Sequence, residues 1–205
     1  METTASDLGR TARADTTPQP WPWPRFVAWI ALGVLSAAVL LMLGSLQETG
    51  TLRLTDVSTE SPVTTIGVAT LCYLAAGATG IRWLAWAAVP VASVLPFAAA
   101  ALDLPRWTVF VAVGVVVTAL GLVYRRRTTW PQAVAMAGYF GVAVLALALA
   151  PRVGLALAAV ALIAHAAWDW VHYRRDVVVN RSLAVWCMGL DVFLGGLGLI
   201  VAIGG

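Results

Sequence analysis

The sequence predicts an all-α polytopic integral membrane protein, a bundle of seven transmembrane helices with the N-terminus cytoplasmic and the C-terminus outside. Hydrophobic residues make up 60% of the 205-residue chain and charged residues only 11%, a balance that no water-soluble domain of this size can bury in one core. The apolar residues fall into seven runs, and the arginines between those runs favour one side. Together these observations predict a multi-pass protein of the cell membrane (the inner or plasma membrane).

Each of the seven runs is about 18 to 21 residues long, enough to cross a hydrocarbon core of about 30 Å at about 1.5 Å per residue. Residues 1–24 precede them as a polar tail that ends in alternating proline and tryptophan, which predicts a disordered cytoplasmic segment. Residues 25–205 form the transmembrane domain, with helices predicted at residues 26–46, 63–80, 84–102, 107–124, 131–150, 153–173 and 183–203.

The placement of the arginines tests this helix count independently, because all thirteen basic residues are arginines. With seven crossings and a cytoplasmic N-terminus, ten of them lie on the cytoplasmic side and three, Arg53, Arg106 and Arg152, lie outside. Basic residues concentrate in cytoplasmic loops, so this split is the asymmetry that the assigned topology requires. A miscount of one early helix would mix the two groups.

The composition also excludes several cofactors and partners. Retinal and pyridoxal phosphate both form a Schiff base with a lysine amine, and the chain has no lysine. No basic patch is interleaved with aromatic residues, so the expected partners are membrane lipids and a lipid-like substrate rather than nucleic acid, and a homo-oligomer stays open. Cys72 and Cys187 each lie in an apolar run and are predicted to be reduced thiols.

A stripe of small and polar residues follows one face of the sixth predicted helix, and a matching stripe follows the seventh. At 100° per residue, a narrow face of the sixth helix collects Gly154, Ala158, Ala161, His165, Asp169 and His172. The seventh helix collects Ala184, Cys187, Asp191, Gly195, Gly198 and Ala202. Small residues allow close helix contact and ionisable side chains avoid lipid, so the two stripes are predicted to face each other.

Residues of these two antiparallel helices lie at the same depth when their numbers sum to about 356, counted from the predicted helix ends. This rule places His165 level with Asp191 and Asp169 level with Cys187, while Gly154 and Ala158 meet Ala202 and Gly198. The outer halves of both helices then pack closely, and the polar residues form a site that opens to the cytoplasmic side.

The spacing within the stripe favours some ligands over others. His165 and Asp169 are four residues apart and can reach one ion, so a divalent metal such as zinc is expected to use His165, Asp169 and Asp191, or Asp191 with one histidine and water. His165 and His172 are separated by about 10.5 Å along the axis, too far to share an ion. Haem is disfavoured because both histidines project from one face of one helix. Arg174 and Arg175, which follow the stripe, are candidate contacts for an anionic substrate.

The arrangement on the sixth and seventh helices resembles the seven-helix membrane hydrolases related to alkaline ceramidases. Those proteins bind zinc through histidines on the interior of the bundle, beside an aspartate and a serine. The resemblance implies a zinc-dependent hydrolase. This chain departs from that pattern because it has two histidines and no HxxxH pair.

Three functions are compatible with these residues. The first is a small membrane enzyme, either a hydrolase or an acid-type lyase or cyclase, that acts on a lipid or isoprenoid-like substrate. In that enzyme Asp169 and Asp191 are ligands or general acid/base groups, and His165 and His172 are ligands or proton shuttles. The second is a proton-linked transporter or channel. The third is a non-catalytic membrane scaffold or subunit with a structural polar network.

Overall fold

The structure is a computed structural model that describes residues 21–204, apart from the side chains of Gln47 and Glu48. The described residues are helical, with no strand among them. The elements are α1 (Trp23–Thr49), α2 (Glu60–Thr79), α3 (Leu84–Ala101), α4 (Arg106–Val123), α5 (Thr129–Ala135), a π-helical segment (Met136–Phe140), α6 (Gly141–Ala146), α7 (Pro151–Arg175) and α8 (Arg181–Gly204).

Six of these helices, α1 to α4, α7 and α8, are long and apolar enough to cross a membrane. The fifth predicted span, residues 131–150, corresponds to α5, the π-helical segment and α6, which follow one another without a break but end at Ala146. The count of seven crossings therefore stays a prediction, as does the sidedness of the termini, while the all-helical architecture with several helices long and apolar enough to span a membrane is confirmed.

Proline and glycine mark the ends of several helices, as their backbone preferences predict. Pro24 lies in the first turn of α1, and Pro151 begins α7, where a missing amide hydrogen costs nothing. Gly50 and Gly80 end α1 and α2 in the left-handed conformation, with φ of 69° and 75°. Of the predicted tail, residues 1–24, the first twenty residues lie outside the described part of the chain. Its residues 23 and 24 belong to α1.

The helices run alternately up and down, which gives the bundle two ends. At one end the Arg82 guanidinium donates to the Val179 carbonyl at 2.8 Å, and at the other the Ser45 hydroxyl donates to the Asp56 carboxylate at 2.8 Å. The first, called the arginine-rich end below, has eight of the eleven arginines between residues 21 and 204: Arg25, Arg82, Arg125, Arg126, Arg127, Arg174, Arg175 and Arg181. The second, called the Arg106 end, has Arg53, Arg106 and Arg152.

The centre of the bundle is α2, which packs against α3, α4, α5, the π-helical segment, α7 and α8. The most extensive helix contact is between α7 and α8, where Gly198 lies against Ala159, the residue next to the predicted Ala158. One predicted contact is wrong. Gly154 faces the carbonyl of Ala146 at the end of α6 rather than α8, because α6 returns to the Arg106 end beside the start of α7.

The packing of α1 on α8 depends on two glycines that approach the partner backbone. A Cβ at Gly33 would collide with the Trp186 carbonyl oxygen, and a Cβ at Gly189 would collide with the Ile30 carbonyl oxygen. This reciprocal contact brings the two backbones together near the middle of the bundle. It sets the position of the α8 face that carries Asp191.

Candidate functional site

His165, Asp169 and Asp191 form one buried cluster between α7 and α8. The His165 Nδ1 atom lies 2.8 Å from Asp191 Oδ2 and 3.6 Å from Asp169 Oδ2. His165 and Asp169 are 0% exposed and Asp191 is 1% exposed, so the cluster is almost completely enclosed by the protein. The structure thus brings together the three residues that the sequence identifies as a candidate metal site, with His165 and Asp191 paired across the two helices.

A fourth residue of the cluster comes from α2 and was missed by the sequence analysis. The Tyr73 hydroxyl donates to Asp169 Oδ1 at 2.6 Å, and the tyrosine side chain is buried. That distance lies in the range of about 2.5–3.0 Å for a hydrogen bond from a hydroxyl to an oxygen acceptor. The available signal was a tyrosine in the middle of an apolar run, where its hydroxyl needs a partner.

His172 belongs to a separate polar group rather than to the cluster. Its Nδ1 atom lies 2.9 Å from the Trp168 carbonyl and its Nε2 atom lies 3.2 Å from the Gln132 amide nitrogen, while the Trp168 indole donates to the Gln132 carbonyl oxygen at 3.3 Å. This closed pattern requires an imidazole with its proton on Nδ1. The Tyr73 ring packs edge-on against His172 with ring centroids 4.8 Å apart, so Tyr73 contacts both His172 and Asp169.

The candidate role of His172 as a metal ligand therefore does not fit the structure, because both ring nitrogens already have hydrogen-bond partners. Gln132, on α5, was also missed by the sequence analysis. It is buried, and an amide inside an apolar segment is the signal that could have identified it.

Arg174 and Arg175 lie at the arginine-rich end and do not reach the cluster. Both are exposed, and the Arg174 guanidinium stacks over the Trp170 ring at 5.5 Å from its centroid. Arg175 is ten residues from His165, which is about 15 Å along the helix. A ligand bound in the cluster would not touch either arginine. The positions of Arg174 and Arg175 therefore do not support the predicted contact with an anionic substrate in the cluster.

Each member of the cluster keeps one polar atom without a hydrogen-bond partner among the described residues: His165 Nε2, Asp169 Oδ2 and Asp191 Oδ1. No arginine forms an ion pair with either aspartate in this part of the chain. Two buried carboxylates without a cationic partner are costly unless protons or a metal ion balance their charge. One divalent cation balances two carboxylates beside a neutral imidazole.

The geometry is close to that of a metal site. One ligand atom from each of the three residues lies within 4.8 Å of the other two. Ligands at about 2.0–2.1 Å in a tetrahedral zinc site stand about 3.3 Å apart. The 2.8 Å contact between His165 and Asp191 would have to open by roughly half an ångström, and the 3.6 Å contact between His165 and Asp169 would close slightly. The cluster can therefore hold a metal ion after small side-chain shifts.

The π-helical segment places a second tyrosine beside the cluster. The Tyr139 ring meets the His165 ring edge-on, with centroids 5.4 Å apart, and Tyr73 meets the same ring from another side at 5.7 Å. Single turns of π-helix are frequent at functional sites because they rotate a side chain out of the α-helical register. The imidazole of His165 is thus fixed between two aromatic edges.

An apolar groove between α1 and α3 reaches Asp191 from the lipid-facing surface. It has a volume of about 610 Å³, and its floor is formed by α2 and α8, where Cys72, Cys187 and Asp191 lie. Most of its lining surface is apolar, as at Leu35 and Val39 of α1. This is the size of a small-molecule site, and it makes Asp191 a member of both the cluster and the groove.

The direction of this groove differs from the prediction that the site opens to the cytoplasmic side. Trp29, Trp86 and Trp186 pack together and close the groove towards the arginine-rich end, with ring centroids 5.4 and 5.5 Å apart. The groove extends towards the opposite end, where Arg106 contributes to its lining. His172, the polar residue nearer the arginine-rich end, is bound by Gln132, which accepts a hydrogen bond from Trp168. The sequence shows the stripe but not the helices that cover it.

Comparisons of this chain with models of protein families, with curated protein sequences and with solved structures found no match.

Proposed function

We propose that this protein is a small membrane enzyme that hydrolyses a lipid-like substrate with a divalent cation, such as zinc, bound by His165, Asp169 and Asp191. The chain crosses the cell membrane seven times, with the N-terminus in the cytoplasm and with α5, the π-helical segment and α6 as the fifth crossing. The ten-to-three distribution of arginines supports this orientation.

The observation that carries the proposal is the double position of Asp191. Its Oδ2 atom accepts a hydrogen bond from His165 inside the cluster, and the residue also lines the apolar groove. A lipid-like molecule in the groove would therefore meet the cluster directly, without crossing a polar channel. Apolar clefts with a few convergent polar groups are the usual form of small-molecule sites.

The protein residues divide the work around such a cation. A bound divalent cation supplies Lewis acidity towards a carbonyl or phosphoryl oxygen and activates water. Tyr73 orients Asp169 through its short hydrogen bond. Hydrogen-bond partners of this kind fix the orientation of a metal ligand and thereby raise the affinity of the site for the metal ion. Asp191 Oδ1, which has no partner among the described residues, is the atom that can accept a proton from the attacking water.

A second candidate is an acid-type lyase or cyclase without a metal, acting on an isoprenoid-like chain. The apolar lining of the groove favours it, because proton transfer to an alkene needs no water in the site. In that case Asp191 would donate the proton from Oδ1, with His165 bound to its other oxygen. Metal content separates the two enzymes.

A proton-linked transporter is less well supported by the packing. Between the cluster and the Arg106 end, α7 and α8 meet through small and apolar residues, with Gly198 against Ala159 and Leu155. A relay would need polar side chains or water along that path. A scaffold with a purely structural network is the remaining alternative, and it predicts stability effects without an activity.

The first test is the metal content of the full-length protein, purified in detergent without chelators and measured by inductively coupled plasma mass spectrometry. About one zinc or other divalent ion per chain is expected, and Asp191→Asn and His165→Ala should both lose it. Asp103→Asn, at an exposed position of the Arg106 end, is the matched control and should retain the ion. A metal-free wild type that resists loading with zinc, manganese or iron would overturn the metal-dependent mechanism.

The second test compares lipid extracts of membranes from cells that produce the wild type or Asp191→Asn. A lipid that is consumed with the wild type and persists with the variant would identify the substrate class. Unchanged lipid profiles, together with a lower unfolding temperature of the variant, would favour the scaffold instead.

A further inference from the structure

We propose that the groove between α1 and α3 binds a membrane lipid with an anionic headgroup, whose head lies at Arg106 and whose chain extends to Asp191. The proposal names the substrate class of the enzyme proposed above and rests on that function for the reaction. The binding itself rests on the shape and charge of the groove alone.

The groove is closed at one end and open along one side. The three tryptophans Trp29, Trp86 and Trp186 close it towards the arginine-rich end. Its long side opens between α1 and α3, where Leu35 and Phe97 are 59% and 66% exposed on the surface that faces lipid. A chain can therefore enter sideways from the bilayer, without passing through water.

The size of the groove fits one hydrocarbon chain. Its volume of about 610 Å³ lies within the range of about 300–1,000 Å³ that is usual for small-molecule sites. Along α2 the lining runs from Thr64 to Cys72, and along α3 from Val89 to Phe97. Each of these stretches covers eight residue steps, or about 12 Å. A single fatty or isoprenoid chain matches these dimensions.

The charges of the lining fix the direction in which an amphiphile binds. Arg106 and Asp191 are the only charged residues of the lining among the described residues: Arg106 lies at the Arg106 end of the groove, and Asp191 lies part-way along it on α8. Arg106 is exposed at the start of α4, and no carboxylate whose side chain the structure describes lies within 4 Å of it. Its guanidinium can therefore bind an anionic headgroup at the membrane surface, whereas Asp191 would repel that headgroup.

This direction has a chemical consequence. With the head at Arg106, the part of the lipid that reaches Asp191 lies deeper in the bundle, in the chain. The bond that reacts is therefore an ester, amide or alkene carried on the chain, and not the linkage to the headgroup. A neutral lipid of the same length lacks the contact with Arg106 and binds more weakly.

The test uses photo-crosslinking with the full-length protein in lipid nanodiscs. The probes are two palmitic acids, one with a diazirine near the carboxylate and one with a diazirine near the chain end, and the two corresponding fatty alcohols. Mass spectrometry of peptides locates the adducts. The chain-end acid should label residues around Trp186 to Asp191 and around Cys72, and the carboxylate-proximal acid should label the segment from Phe97 to Arg106.

Two comparisons make the test decisive. The acid should label the groove about tenfold more than the alcohol, the effect of losing one charged contact, and Arg106→Gln should abolish that preference. Arg152→Gln, which removes an exposed arginine from the same end of the bundle, is the matched control and should keep the preference. Equal labelling of the wild type by acid and alcohol would overturn the proposal, as would equal effects of the two arginine variants.

Asp191→Asn separates this proposal from the proposed function. If the variant keeps the labelling pattern and also keeps any lipid turnover, the lipid site stands and the enzyme fails. If turnover depends on Asp191 while labelling does not depend on Arg106, the enzyme stands and this assignment of the substrate fails.

Discussion

Removal of the Tyr73 hydroxyl by Tyr73→Phe is the sharpest perturbation that the structure offers. The hydroxyl donates to Asp169 Oδ1 at 2.6 Å in a site that is almost fully buried, and phenylalanine preserves the ring. The substitution therefore removes one hydrogen bond and leaves a buried carboxylate oxygen without its donor.

The magnitude follows from two ranges. Interhelical hydrogen bonds in membranes contribute about 0.6 kcal/mol on average and up to about 1.7 kcal/mol. Hydrogen bonds to charged groups such as carboxylates contribute about 1.5–3 kcal/mol. The ranges overlap near their limits, so we expect a coupling free energy of about 1.5 kcal/mol between the two residues.

The assay is a double-mutant cycle with Tyr73→Phe and Asp169→Asn, in which the free energy of unfolding of all four proteins is measured by titrating mixed micelles with sodium dodecyl sulfate. Tyr139→Phe replaces Tyr73→Phe in a control cycle. Tyr139 packs against His165, but its hydroxyl makes no hydrogen bond to the cluster among the described residues. Its coupling to Asp169 should stay within about 0.5 kcal/mol, the limit of additivity. A coupling of Tyr73 to Asp169 inside that same limit would refute the assigned hydrogen bond.

Three further predictions concern the packing around the site. Gly33→Ala should lower the free energy of unfolding, measured by SDS titration, by about 1–3 kcal/mol, because the added methyl group collides with the α8 backbone. Gly44→Ala is the control and should leave the free energy of unfolding unchanged, because no atom lies within 4 Å of the added methyl group. Equal effects of the two substitutions would contradict the close contact between α1 and α8. Gln132→Leu should destabilise the protein by about 1–3 kcal/mol, because His172 loses its hydrogen-bond partner. Mass spectrometry should find the metal content of this variant unaltered. A loss of metal would show that the metal site depends on Gln132 and His172. Arg82→Gln should cost less than about 1 kcal/mol in the same titrations, since its ion pair with the α7–α8 turn is partly exposed, and a cost above about 2 kcal/mol would show that the arginine determines that turn.

The faces of α7 and α8 were predictable from the sequence because helical periodicity is a local property. All six stripe residues of α7, from Gly154 to His172, are buried, and five of the six on α8 are buried, with Ala202 partly exposed. The depth rule also paired His165 with Asp191, since two antiparallel helices joined by a short turn leave little freedom in their register. These results follow from the rise and the angle per residue alone.

The partners from other helices were not predictable in the same way. Tyr73 on α2 and Gln132 on α5 each look like an isolated polar residue in an apolar run, and nothing local indicates which helix faces them. Their positions depend on how α2 packs in the centre of the bundle. The same packing brings Tyr73 into contact with both His172 and Asp169.

The sequence by itself determined that the chain is a multi-pass helical membrane protein and that His165, Asp169 and Asp191 share an interior face. The physical reason is that bilayer thickness sets helix length and that the cost of exposing charge to lipid sets the buried face. Only the tertiary structure decided where the site opens. Close contact of α1 with α8, at Gly33, and the tryptophans between α1 and α3 leave a groove that leads away from the arginine-rich end. That opening depends on distances between helices that are remote in the chain, and no helical pattern records such distances.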